Sequence, residues 1–184
     1  MDIAFATGNK GKITEAKKIL ECFKVHIIQK DIKLIEPRSN SLEKIATEKA
    51  KQACEILKNP VIVEDSGLFI ESLNDFPGTY SHLVYNKISD VGILKLMDGL
   101  EDRSAVFKAV VAFTGPKRNP ITFTGEQKGI IAFEVKGSGG FGFDPIFIPK
   151  SEKQTWAENP QLKAKRSHRK IALEKFANWA KDNL

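Results

Sequence analysis

The run Val61-Ile62-Val63-Glu64-Asp65-Ser66-Gly67 ends a short apolar segment on two carboxylates and a Ser-Gly turn signal. Carboxylates at the C-terminal end of a buried strand sit where α/β proteins place their ligands. Neighbouring side chains on a strand face opposite ways, so only one of Glu64 and Asp65 need enter such a site directly. A carboxylate beside phosphate oxygens is repelled unless a cation lies between them. Mg²⁺ suits that position, because it binds through a few carboxylates, water and phosphate oxygens.

Two basic segments could supply the anion's other contacts. Thr7-Gly8-Asn9-Lys10-Gly11-Lys12 lies between an expected strand and the start of an expected helix. Free N–H groups and the helix dipole favour an anion there, whereas lysines in a first turn oppose the dipole. The glycine spacing is not that of a Walker A loop, and no Ser or Thr follows Lys12. The second segment holds Lys163, Lys165, Arg166, His168, Arg169 and Lys170. It is expected to crowd the N-terminus of the last helix, with Ser167 as its N-cap. Both segments also admit a plainer reading, in which solvated cations pair with acidic neighbours. A fourth stretch, Gly139-Gly140-Phe141-Gly142-Phe143-Asp144-Pro145, sets two aromatic rings among glycines. Such rings offer a flat surface on which a base can stack, or they fill a core while the glycines make turns.

The elements that must position these residues follow from periodicity. Asp2 to Thr7 and Val25 to Gln29 read as strands. Lys10 to Phe23 reads as a helix, and a second helix carries the stripe Leu42, Ile45, Ala46, Ala50, Ala53 and Leu57. Asp90 to Leu100 is expected to be a short helix, and Ser104 to Thr114 and Ile121 to Val135 long antiparallel strands. A helix from about Ser167 to Asn183 closes the chain. The alternation predicts an α/β protein with a mixed sheet, in two lobes with a cleft between them. A chain of 184 residues, 41% hydrophobic and 28% charged, fits one soluble domain. Two cysteines and three histidines are too few for a zinc site, and no apolar run reaches the length of a membrane span. The expected compartment is the reducing cytoplasm. The net charge of +6 points weakly to a polyanionic partner.

Taken together and in order, Ala6–Lys12, Val63–Leu68, Phe76-Pro77-Gly78-Thr79-Tyr80-Ser81, Gly140–Phe147 and Ser167-His168-Arg169 resemble one family. It is the inosine/xanthosine triphosphate pyrophosphatases that clear non-standard purine nucleotides, and the compact form is most similar to archaeal members. The resemblance implies an elongated, two-lobed α/β fold around a long mixed sheet with flanking helices and a central cleft. It also implies a homodimer and Mg²⁺-dependent cleavage of a nucleoside triphosphate to the monophosphate and pyrophosphate. Under it, Thr7, Gly8, Asn9, Lys10, Gly11 and Lys12 grip the phosphates together with Lys49. Asp65 is the catalytic acidic residue and a metal ligand, and Ser66 touches substrate. Phe141 stacks on the base, Gly142, Phe143 and Asp144 shape its pocket, and Lys163, His168 and Arg169 recognise it. Phe143 stands where the family more often has Tyr or Trp. The second metal carboxylate is Glu36, with Glu43 as the alternative.

Two rival readings remain at this level. A basic nucleic-acid-binding module would use the cations and aromatics but leaves the carboxylates at 64–65 unexplained; no stable nucleic-acid partner is expected. A phosphatase acting on the terminal phosphate alone would release orthophosphate instead of pyrophosphate.

Overall fold

The computed structural model describes residues 2–184. The elements run β1 (Asp2–Ala6), α1 (Lys10–Glu21), β2 (His26–Lys30), α2 (Leu42–Leu57), β3 (Val61–Ile70), β4 (Phe76–Gly78), α3 (Ser81–Leu96), β5 (Ser104–Thr114), β6 (Ile121–Ile131), β7 (Phe147–Pro149), α4 (Pro160–Arg166) and α5 (His168–Asn183). The seven strands form one mixed sheet in the order β2-β1-β3-β5-β6-β7, with β4 paired to β3. β1 runs parallel to β2 and β3, while β4 is antiparallel to β3 and β7 to β6. Among the described residues no helix is long and apolar enough to cross a membrane.

The chain divides into two compact units. The first takes the chain up to Asp65, then Ala109–Gly125 and Arg169–Leu184. Its core joins Ile3 and Phe5 of β1 to Ile13, Ala16 and Leu20 of α1 and to Leu173 and Phe176 of α5. These positions recur at helical spacing, so one stripe of each helix is buried. The second unit takes Ser66–Lys108 and Glu126–His168. Its core is Leu68, Ile70, Ile93, Met97, Phe107, Phe147 and Trp156 with their neighbours.

Four sequence expectations change. Glu64-Asp65-Ser66-Gly67 is not a turn: β3 runs on through it to Ile70. The strand continues because β4 gives it a partner, Leu68 opposite Gly78, and because the Ser81 hydroxyl accepts from the Leu68 N–H at 2.8 Å. Gly67 permits that approach, since a Cβ there would lie 2.2 Å from the Gly78 carbonyl oxygen. The helix expected from Asp90 begins earlier, at Ser81, and is broken by non-helical geometry at Ser89. β6 stops at Ile131 rather than Val135. There the Arg103 guanidinium takes the carbonyls of Ile131 and Ala132, both at 2.7 Å, which removes the ladder's acceptors. Finally, Lys163, Lys165 and Arg166 occupy the last turn of a separate helix, α4, not the start of α5. Cations are favourable at a helix C-terminus, so this cluster no longer demands a bound anion.

Candidate active site

In the first unit, the pleat of β3 sends Glu64 and Asp65 to different helices. Asp65 meets α2: its Oδ1 accepts from the Lys49 ammonium at 3.1 Å. The same ammonium donates to Glu36 Oε2 at 2.9 Å, so one lysine joins two carboxylates. Burial alone would lower the Lys49 pKa, but the attraction of Asp65 and then of Glu36 outweighs it and holds the pKa above its ordinary value. Glu43 is elsewhere. It lies in the first turn of α2, where its carboxylate accepts from the Ser41 hydroxyl at 3.0 Å, beside the Ser41 cap.

Asp65 Oδ2 is buried and has no hydrogen-bond partner. A buried carboxylate oxygen left in that state is costly, and a cation is one group that would satisfy it. Among the described residues no cluster of three or more His, Cys, Asp or Glu forms a metal site. The carboxylates that a cation would meet beside Lys49 are Asp65 and the more exposed Glu36. That set fits Mg²⁺, which completes its shell with water and substrate oxygens, better than a metal that needs a full protein cage.

Glu64 turns the other way, towards α1 and α5, and its side chain is fully buried. Its Oε2 lies 2.8 Å from Lys12 Nζ, and its Oε1 lies 3.2 Å from Arg169. Lys12 also donates to the Glu64 backbone carbonyl at 2.9 Å. Arg169 is paired in addition with Glu15 at 2.6 Å. Burial works against the Arg169 charge, but Glu64 and then Glu15 overcome it, and its pKa stands above the ordinary arginine value. This network, in which the fully buried Glu64 and Arg169 join the half-buried Lys12 and Glu15, explains how Lys12 is tolerated in the first turn of α1, where the dipole opposes it.

The Thr7–Lys12 segment is shaped by its own hydrogen bonds. Asn9 caps α1, its side chain accepting from the Lys12 N–H at 3.0 Å, and the Asn9 N–H donates to the Thr7 hydroxyl at 3.1 Å. Gly8 lies against Asp31, whose Oδ1 would be 2.9 Å from a Cβ at that position. Lys10 is exposed and Gly11 half-buried.

In the second unit, the expected base-side residues come together. Asp144 and Lys163 form a buried pair at 2.7 Å. Asp144 also accepts from the Phe141 N–H at 2.8 Å, and the Lys163 ammonium sits 4.2 Å from the Phe141 ring centre. Gly140 has φ of +76°, and a Cβ there would lie 2.0 Å from the Asp144 carboxylate, so glycine is required for this turn. Phe141 is half-buried and Gly142 half-exposed, whereas Phe143 belongs to the core and meets Tyr85 edge-on at 5.2 Å. His168 is buried in a ring stack, 4.8 Å from Phe107 and 5.4 Å from Trp156. Ser66 is half-buried in β3.

Sequence reasoning missed Glu15, the partner of Arg169. The one signal for it was its spacing three residues from Lys12 on α1, which puts both on one face. It also missed Asp90, buried behind the break in α3 with Oδ1 lacking a hydrogen-bond partner. Burial and then the nearby Asp144 charge push the Asp90 pKa up to about 6.

The sequence profile of the Ham1 family matches residues 3–179. The chain belongs to the Ham1 family. The chain is 51% identical over its whole length to a dITP/XTP pyrophosphatase from Methanopyrus kandleri, covering 98% of that protein. It is 45% identical to the dITP/XTP pyrophosphatase of Thermococcus kodakarensis, with both chains fully covered. Among solved structures, the Ham1 protein of Staphylococcus aureus superimposes with a TM-score of 0.86 at 32% identity, over all of both chains. A Ham1 protein from Coxiella burnetii gives a TM-score of 0.87 at 31% identity, over 99% of each.

Proposed function

We propose that this Ham1-family chain hydrolyses dITP, ITP and XTP to the nucleoside monophosphate and pyrophosphate, with Mg²⁺ as its cofactor. The observation that carries the reading is the Asp65–Lys49–Glu36 arrangement, with its buried, unpartnered Asp65 oxygen. The relatives named dITP/XTP pyrophosphatase supply the substrate class. Asp65 and Glu36 would hold the cation, which when bound neutralises phosphate oxygens and draws charge from the reacting phosphorus.

The chain's own residues do the rest. Asp65 accepts the proton of the water that attacks the α-phosphorus. Lys49 keeps the two carboxylates together and brings a positive charge to the phosphates. Lys12 has three N–H donors; two point at Glu64, leaving one for a phosphate oxygen. The N–H groups of the Gly8–Lys12 turn supply further donors at the start of α1. This catalysis is positioning and electrostatics.

A second group of residues is assigned to the base. Phe141 stacks on it, with Gly142, Phe143 and Asp144 shaping its surroundings and Ser66 touching the substrate. Lys163, with His168 and Arg169, is assigned to the carbonyl at the purine 6-position. Hypoxanthine and xanthine present an acceptor there, whereas adenine presents a donor. A site built on buried donors rejects the wrong partner strongly. The reading includes a homodimer in the cytoplasm, supported by the sequence resemblance and by two free cysteines, Cys22 and Cys54.

The test is Asp65→Asn. Pyrophosphate release from dITP should fall by about a hundred- to ten-thousandfold, the usual worth of a general base, with thermal unfolding little changed. A variant that keeps most of its Mg²⁺-dependent activity sinks the assignment.

A further inference from the structure

Glu36 lies in a connection without regular secondary structure between β2 and α2. None of residues 31–40 is fully buried, and Ile35, directly before Glu36, is 78% exposed. Apolar packing therefore does not fix this stretch at Ile35. A side chain on α2 does. Gln52 accepts from the Ile35 N–H through Oε1 and donates to the Ile35 carbonyl through Nε2, both at 2.9 Å. One amide side chain thus pairs both backbone groups of a single residue, as a neighbouring strand would. Pro37 biases Glu36 itself towards extended backbone, which continues the same strand-like run. Gln52 and Lys49 are three residues apart on α2 and so share a helix face. Gln52 holds the backbone of residue 35 while Lys49 holds the carboxylate of residue 36.

We propose that Gln52 is a positioning residue for the divalent cation: it clasps the Ile35 backbone to α2 and so sets Glu36 opposite Asp65. The inference rests on the reading of Glu36 as a metal carboxylate. Neither the sequence pattern nor the family resemblance singles out Gln52. Its value follows from the chemistry of the site. A rigid strand holds Asp65, but Glu36 stands on an exposed connection, and a ligand on mobile backbone loses affinity to the entropy of ordering it.

The test compares the wild-type chain with Gln52→Ala, Glu36→Gln and the double variant. Alanine at a half-exposed helical position is a good helix former, so Gln52→Ala should fold. Two readouts are taken: amide hydrogen exchange at Ile35 in the metal-free protein, and the Mg²⁺ concentration at half-maximal pyrophosphate release from dITP. Gln52→Ala should speed Ile35 exchange and raise the Mg²⁺ requirement about tenfold, the scale of roughly one net hydrogen bond. At saturating Mg²⁺ kcat should stay within about twofold, because the lost term is ordering of the ligand and not chemistry. In the double variant, Gln52→Ala should add nothing to the effect of Glu36→Gln, since it acts through that residue. If Glu36→Gln raises the Mg²⁺ requirement and Gln52→Ala does not, the clasp is refuted while the metal assignment stands. If Glu36→Gln leaves the requirement unchanged, the metal assignment fails and takes the clasp's role with it.

Discussion

Glu64→Gln tests how the two cations of the first unit are held. Glu64 is fully buried and shared by Lys12 at 2.8 Å and Arg169 at 3.2 Å. The substitution keeps shape and removes the charge, so it leaves the buried Arg169 and the half-buried Lys12 short of an anion. Removing one partner of a buried pair costs about 3–5 kcal/mol. The low end applies here, because Arg169 keeps Glu15 at 2.6 Å and Lys12 keeps the residue-64 carbonyl at 2.9 Å. For a chain of this size ~3 kcal/mol corresponds to a fall in Tm of about 6–12 °C. Circular dichroism melts of the two proteins in one buffer measure it. Lys12 also loses its fixed seat, so KM for dITP should rise more than kcat falls. Adding Lys12→Met to Glu64→Gln should cost less than the sum of the single changes, since the two share one interaction. A Tm within 2 °C of wild type, about 0.5–1 kcal/mol, would refute the charge network as the support of Lys12.

Two further outcomes follow from the second unit. The Asp90 pKa is raised from 3.8 to about 6 by burial and by Asp144, so its neutral form is favoured by folding; that stability is fully present below 3.8 and is lost as pH rises through about 6. Asp90→Asn should therefore melt progressively higher than wild type as pH is raised from 4 towards 7, and a gap that stays constant over this range contradicts the account. Phe141→Ala should raise KM for dITP by about 10- to 100-fold, the worth of one stacked base, with unfolding little altered because the ring is half-buried; an unchanged KM removes Phe141 from base binding.

How much of this was legible in the sequence differs from element to element. The α2 stripe is the clearest case: Leu42, Ile45, Ala46, Ala50 and Ala53 are the buried face of a helix that spans Leu42–Leu57, because burial and period agree. The acidic run at 64–67 reads as a turn because Ser-Gly is a strong local signal, whereas the pairing that overrides it comes from β4 and Ser81. The cations at 163–170 look like one anomalous helix start because the short helix α4, which Asn159 caps and Pro160 opens, is too brief to show a period of its own. Once α4 and α5 are separate, most of them have ordinary explanations: Lys163 pairs with Asp144, Arg166 with Glu152 and Lys170 with Glu174. The site's central contacts join residues far apart in the chain, 52 positions for Lys12 and Glu64 and 154 for Arg169 and Glu15. Residue types show that such partners are needed, but only the fold says which ones meet. Lys49 is the counter-example. The family resemblance singled it out, and the structure brings it to both Asp65 and Glu36.

The most direct measurement of the central claim is a panel of dITP, ITP, XTP, GTP and ATP incubated with the protein, with and without Mg²⁺, and analysed for pyrophosphate and orthophosphate. The account predicts pyrophosphate and monophosphate from dITP, ITP and XTP, only with the metal, and kcat/KM for ATP lower by about a hundredfold or more. Orthophosphate as the first product, or equal kcat/KM for ITP and ATP, would contradict it.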